Sequence, residues 1–162
     1  MRTLVLGLGN DLYGDDGVGL HAVRRLKEQW APSNEESGES RRIDFAECSL
    51  SGLALLDVIV GYDELLIIDT IIKADPETGR IRLLEAADVR DLPGPSPHYV
   101  SIPQTLTIGR QLGLRVPSRM KIVAVEAQDI YRLGEGLSEG MSRSLPAVIA
   151  AAKGVLDEWK TV

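Results

Sequence analysis

Two stretches of this chain are apolar at consecutive positions. Residues 2–8 read RTLVLGL and residues 64–70 read ELLIIDT. Successive side chains of a strand point to opposite faces of the sheet. A strand that is apolar at neighbouring positions must therefore be covered on both faces. That is the situation of a central strand between two layers of helices, and it excludes a sheet with one wet face.

The remaining chain supplies those layers. The turn 9–17 (GNDLYGDDG) leads into a helix over roughly 17–30. There Val18, Ala22, Leu26 and Trp30 recur every fourth residue beside Val23, and charged residues fill the other faces. Residues 31–42 (APSNEESGESRR) read as a polar surface loop. Residues 43–48 read as a strand and 52–61 (GLALLDVIVG) as a short buried helix. A turn at 76–79 precedes 80–84 (RIRLL), whose polar and apolar alternation fits an antiparallel edge strand in a hairpin. Residues 93–98 (PGPSPH) form a stiff non-helical loop, followed by a helix over roughly 102–113 and a strand at 120–127. Leu145, Val148, Ile149, Ala152, Leu156 and Trp159 make the apolar stripe of a terminal helix, capped by Ser138 or Ser144, with Pro146 in its first turn or at a kink. The expected fold is α/β: a three-layer sandwich with a mixed, mostly parallel twisted sheet of about five strands between helices.

A length of 162 residues suits one domain, taken here as 1–162. The net charge of −6, with no basic stripe, argues against nucleic acid or an anionic membrane as partner. Cys48 is the only cysteine, so neither an internal disulfide nor a cysteine-based zinc cluster is expected. The first apolar run is too short for a signal peptide, and Asp57 and Asp69 interrupt the later ones. A cytoplasmic location is expected.

Three elements bear on chemistry. Gly7-Leu8-Gly9 between strand and helix invites a dinucleotide reading, but Leu12 stands where the third glycine belongs. A tight turn is the better reading, with Asn10 stabilising it. Asp15 and Asp16 at the helix start are one acid more than capping requires. Asp69 ends an apolar strand, where a buried carboxylate needs a partner and where open α/β sheets gather their ligands. His98 lies among Pro93, Pro95 and Pro97, which hold its loop stiff, whereas His21 sits among charged helix residues at the surface. Two carboxylates and an imidazole, Asp16, Asp69 and His98, suit a divalent ion such as zinc or nickel with positions left open.

VLGLGNDLYGDDGVG resembles the N-terminal signature of the hydrogenase maturation endopeptidases. LLIIDTI resembles that family's second acidic element, SPHYVSIPQTL its Ser-Pro-His element, and GEGLSEGM its run before the last helix. The elements stand in the family's order and span nearly the whole chain. CSLSG at 48–52 stands where the family often has a Gly-Thr pair. The resemblance implies an endopeptidase that removes the C-terminal extension of a nickel–iron hydrogenase large-subunit precursor after nickel insertion. It implies that Asp16, Asp69 and His98 recognise nickel carried by the substrate, with zinc or cadmium as surrogates, and that the same three residues are catalytic. Either a metal-polarised carbonyl or bound water, or a carboxylate acting as general base, would support hydrolysis.

The alternative on the same ligands is a non-catalytic, nickel-dependent maturation chaperone. A cysteine hydrolase built on Cys48 and His98 is a further rival, although Glu47-Cys48-Ser49 carries no recognisable nucleophile motif.

Overall fold

The computed structural model describes residues 1–30, 41–91 and 102–161. The expected loops 31–42 and 93–98 fall largely or wholly outside these residues. The five strands are β1 (Arg2–Leu8), β2 (Arg42–Cys48), β3 (Glu64–Ile71), β4 (Ile81–Glu85) and β5 (Arg119–Glu126). The helices are α1 (Val18–Trp30), α2 (Leu56–Ile59), α3 (Ile102–Gln111) and α4 (Glu139–Lys160). The sheet runs β2-β1-β3-β5-β4, with all pairs parallel except β4 against β5.

The two apolar runs occupy the centre of this sheet. All eight residues of β3 are buried, and so are the last six of β1. Leu4, Leu6, Leu65, Ile67 and Ile122 face a core completed by Ile59 of α2 with Ile102 and Leu106 of α3. Val5, Leu66, Ile68 and Val123 face the opposite core, with Val18, Ala22, Val23 and Leu26 of α1 and Val148, Ala152, Leu156 and Trp159 of α4. Neighbouring residues on one strand thus serve two cores, which gives the three layers. Each large side chain so buried contributes roughly 1.5–3 kcal/mol.

The hairpin reading is corrected by the strand order. β4 pairs with β5, not with β3, although it directly follows β3 in the chain. β5 is apolar enough to lie beside β3, whereas β4 keeps exposed residues and takes the edge. The segment expected as a buried helix at 52–61 is a 3-10 turn, Gly52–Leu55, running into the single turn of α2, and only Leu55 and Ile59 in it are buried. Ser138 caps α4, its hydroxyl accepting the Met141 N–H at 3.2 Å. Pro146 therefore lies beyond the first turn, inside the helix, where one backbone hydrogen bond is forgone.

α1 approaches the sheet unusually closely because Gly19 has no side chain. A Cβ there would run into the carbonyl oxygens of Leu8 and Ile68. This contact brings the start of α1 down onto the carboxyl ends of β1 and β3 and sets the height of everything in the preceding turn.

Candidate active site

Between β1 and β3 the order of the sheet reverses: from β1 the chain crosses to β2 on one side, and from β3 it goes on to β4 and β5 on the other. The crevice beyond the carboxyl ends at such a point is where open α/β sheets place ligands. β1 pairs with β3 only as far as Gly7 opposite Ile68. Asp69 and Thr70 extend past that pairing at the carboxyl end of β3.

Asp69 is fully buried, and one of its carboxylate oxygens accepts the N–H of Thr70 at 2.7 Å. The buried hydroxyl of Thr70 donates to Oδ1 of Asp16 at 3.2 Å. Two carboxylates separated by more than fifty residues thus each bond one threonine, Asp69 at its backbone N–H and Asp16 at its hydroxyl. Asp16 arrives from a 3-10 turn, Gly14–Gly17, that precedes α1 and buries it. Strand alternation turns Asp69 toward the α2–α3 side and Thr70 toward α1, so the acids approach this residue from the two faces of the sheet.

The adjacent acids 15 and 16 divide their roles. Asp15 accepts the Ser138 N–H at 2.7 Å and its hydroxyl at 2.8 Å, tying the turn to the start of α4. Only Asp16 turns inward. The turn ahead of it is pinned at several points. Gly9, at φ 139°, donates to the Cys48 carbonyl at 3.2 Å, and its missing Cβ leaves room for the Asp16 carbonyl. The side chain of Asn10 accepts the Leu12 N–H at 3.0 Å, which is the stabilising role expected for it. Arg24 of α1 donates to Asp11 at 2.7 Å and to Glu47 at 2.6 and 3.0 Å. These contacts, Glu47 above all, hold the guanidinium firmly protonated.

His98, the expected third ligand, lies outside the described residues. Among the described residues no group of three acids, histidines or cysteines stands close enough to hold a metal. α3 begins at Ile102, and Thr105 in its first turn donates to the Gly52 carbonyl just past β2, so the helix starts at this same rim. His21 keeps to the surface, 4.0 Å from Asp11. Cys48 is buried and its sulfur accepts the Leu50 N–H, which suits a structural thiol. Carbonyls of the chain itself lie where a Cβ at Gly7 or Gly9 would sit, so both glycines allow the close packing of the turn.

Thr70 escaped the sequence reading. Its signal was present: a hydroxyl beside Asp69 in an otherwise apolar strand, which burial would oblige to find a partner.

The family model described as HycI, hydrogenase maturation protease, matches residues 20–155. The chain belongs to the hydrogenase maturation protease family. It is 26% identical over 161 residues to the hydrogenase expression/formation protein HupD of Rhizobium leguminosarum bv. viciae, covering 98% of this chain and 75% of that protein. It is 27% identical over 127 residues to the hydrogenase 2 maturation protease of Escherichia coli (strain K12), covering 77% and 73%. Among solved structures, the hydrogenase maturating endopeptidase HybD from E. coli superposes with a TM-score of 0.73 at 23% identity, covering 98% of this chain and 93% of that one. The [NiFe] hydrogenase maturation protease HybD from Thermococcus kodakarensis gives 0.68 at 22%, covering 96% and 99%. These two likenesses establish the shared fold.

As a maturation protease the chain is a hydrolase, a processing peptidase of hydrogenase maturation. Among the described residues no helix is long and apolar enough to cross a membrane.

Proposed function

We propose that this maturation protease removes the C-terminal extension of a nickel–iron hydrogenase large-subunit precursor once nickel is in place, recognising that nickel through Asp16, Asp69 and His98. The observation that carries the reading is the convergence of Asp16 and Asp69 on Thr70 at the switch point of the sheet. Two carboxylates neutralise a divalent ion, and an imidazole completes a set with positions left for the substrate's own ligands. Nickel belongs to the substrate in this scheme, so its presence reports that the precursor is loaded. An ion held there polarises a neighbouring amide carbonyl or water. The protein's part is to orient the precursor through the three side chains and to offer a carboxylate that accepts the proton of the attacking water. We place the reaction in the cytoplasm, in keeping with a single free thiol.

The test is the mass of a precursor subunit before and after incubation with the protease, with and without nickel. A nickel-loaded precursor should lose a C-terminal peptide and a nickel-free one should not. A loaded precursor that forms a stable complex and stays uncut would mean a chaperone instead. Equal cleavage with and without nickel would remove the recognition step.

A further inference from the structure

Asp15 is the acid that the chemistry of the site leaves over. It stands beside Asp16 in the 3-10 turn Gly14–Gly17, which has no side-chain cap of its own among the described residues. A single 3-10 turn is a weak element with poor hydrogen-bond geometry. Yet this one holds the buried carboxylate of Asp16 at 3.2 Å from the Thr70 hydroxyl. Its support comes from the loop 127–138 between β5 and α4, 123 residues along the chain from Asp15 to Ser138.

Two routes carry that support. The first is the backbone. The Asp16 N–H donates to the Tyr13 carbonyl at 3.1 Å. The N–H of the same peptide unit, that of Gly14, donates to the Gly134 carbonyl at 2.8 Å, and the Gly134 N–H returns to the Leu12 carbonyl at 3.0 Å. One peptide plane thus links the Asp16 backbone to the loop through consecutive hydrogen bonds. The second route is the side chain of Asp15. Its two carboxylate oxygens take the N–H and the hydroxyl of Ser138 at 2.7 and 2.8 Å. Ser138 caps α4, so this carboxylate also lies at the positive end of a 22-residue helix. Successive residues of a 3-10 turn point about 120° apart. A grip on Asp15 from outside therefore fixes the rotation of the turn, and with it the inward aim of Asp16.

We propose that Asp15 and Ser138 are positioning residues of the protease reaction, a clamp between α4 and the turn that keeps Asp16 on Thr70. The inference rests on the role proposed for Asp16 above and adds the groups that aim it. It also gives the second acid of the Asp15-Asp16 pair its task.

Asp15→Ala is the sharpest test, because it opens the clamp and leaves Ser138 capping the Met141 N–H. Amide exchange should show the Asp16 N–H exchanging about tenfold faster or more, while the amides of β3 and α4 keep wild-type rates. Cadmium affinity, read by calorimetry on the protease alone, and precursor processing should each fall by about tenfold or more, the usual cost of losing an orienting partner. Ser138→Ala should do the same, and Ser138→Thr should restore all three. Ala150→Gly, exposed in the middle of α4, weakens the helix about as much as loss of its cap does. It should leave exchange at Asp16, cadmium affinity and processing as in wild type. In the Asp16→Asn background, removing Asp15 should cost no further processing, because the group it aims is already gone. Wild-type cadmium affinity and processing in Asp15→Ala overturn the clamp and leave the processing reading standing. An equal loss in Ala150→Gly overturns it too, since helix stability would then be the cause. Normal processing by Asp16→Asn alone sinks the reading of the site, and the positioning role falls with it.

Discussion

At the amino end of β3, Glu64 accepts the Thr3 hydroxyl at 2.6 Å and faces Arg41 at 3.0 Å and Arg119 at 3.6 Å. At the carboxyl end of the same strand, Asp69 takes the Thr70 N–H, and the Thr70 hydroxyl goes to a second acid, Asp16. Both acids are buried in one strand, so burial does not distinguish them. Their company does. Opposite charges gathered around Glu64 offset its desolvation and make it a piece of the fold. The contacts of Asp69 include the Thr70 N–H, and the Thr70 hydroxyl goes to a second acid, at the strand end where open α/β sheets place ligands.

This contrast can be broken by substitution. The largest effect is expected at the carboxyl end. Asp16→Asn and Asp69→Asn should each cut precursor processing by about 10³-fold while the urea midpoint stays near that of wild type. Calorimetry with cadmium as the surrogate ion should show binding lost in both. If either variant processes normally, the division between the two ends fails. Glu64→Ala should do the reverse. It strands Arg41 and Arg119, and denaturant unfolding should show a loss of about 3 kcal/mol with turnover per folded molecule unchanged.

Thr70→Val sharpens the comparison, because it keeps the shape of the strand and removes only the hydroxyl on Asp16. Processing should fall by on the order of ten- to a hundredfold, the usual cost of losing a group that orients a ligand. Thr70→Ser should restore it. Failure of serine to rescue would show that packing, not the hydrogen bond, explains the loss.

The smallest effect concerns Glu126, a buried acid that ends β5 as Asp69 nearly ends β3. Burial pushes its carboxyl up, but the Glu77 N–H at 3.0 Å and Arg82 at 2.7 Å outweigh burial and hold it below the usual glutamate value. Its folded-state value is thus lower than its unfolded one. The stability it adds is present above the unfolded value and lost as pH falls through the folded value. Urea midpoints followed across the acid range should fall less steeply in Glu126→Gln than in wild type. Parallel curves would remove Glu126 from the group of charge-compensated acids.

The sequence by itself determined the layers and their order of appearance. Runs apolar at neighbouring positions demanded helices on both faces, and β1 and β3 have them. It also put Asp69 at a strand end and Asp16 at a helix start, because strand and helix boundaries are written in local composition. Only the tertiary structure decided which acid of the pair 15 and 16 turns inward, that Thr70 joins Asp16 to Asp69, and that β5 slips between β3 and β4. Periodicity reports how a segment meets its surroundings but not which distant segment it meets. Thr70 and Asp16 are 54 residues apart, and Gly19, whose missing Cβ leaves room for the carbonyls of Leu8 and Ile68, lets α1 pack close to the strand ends beside that contact.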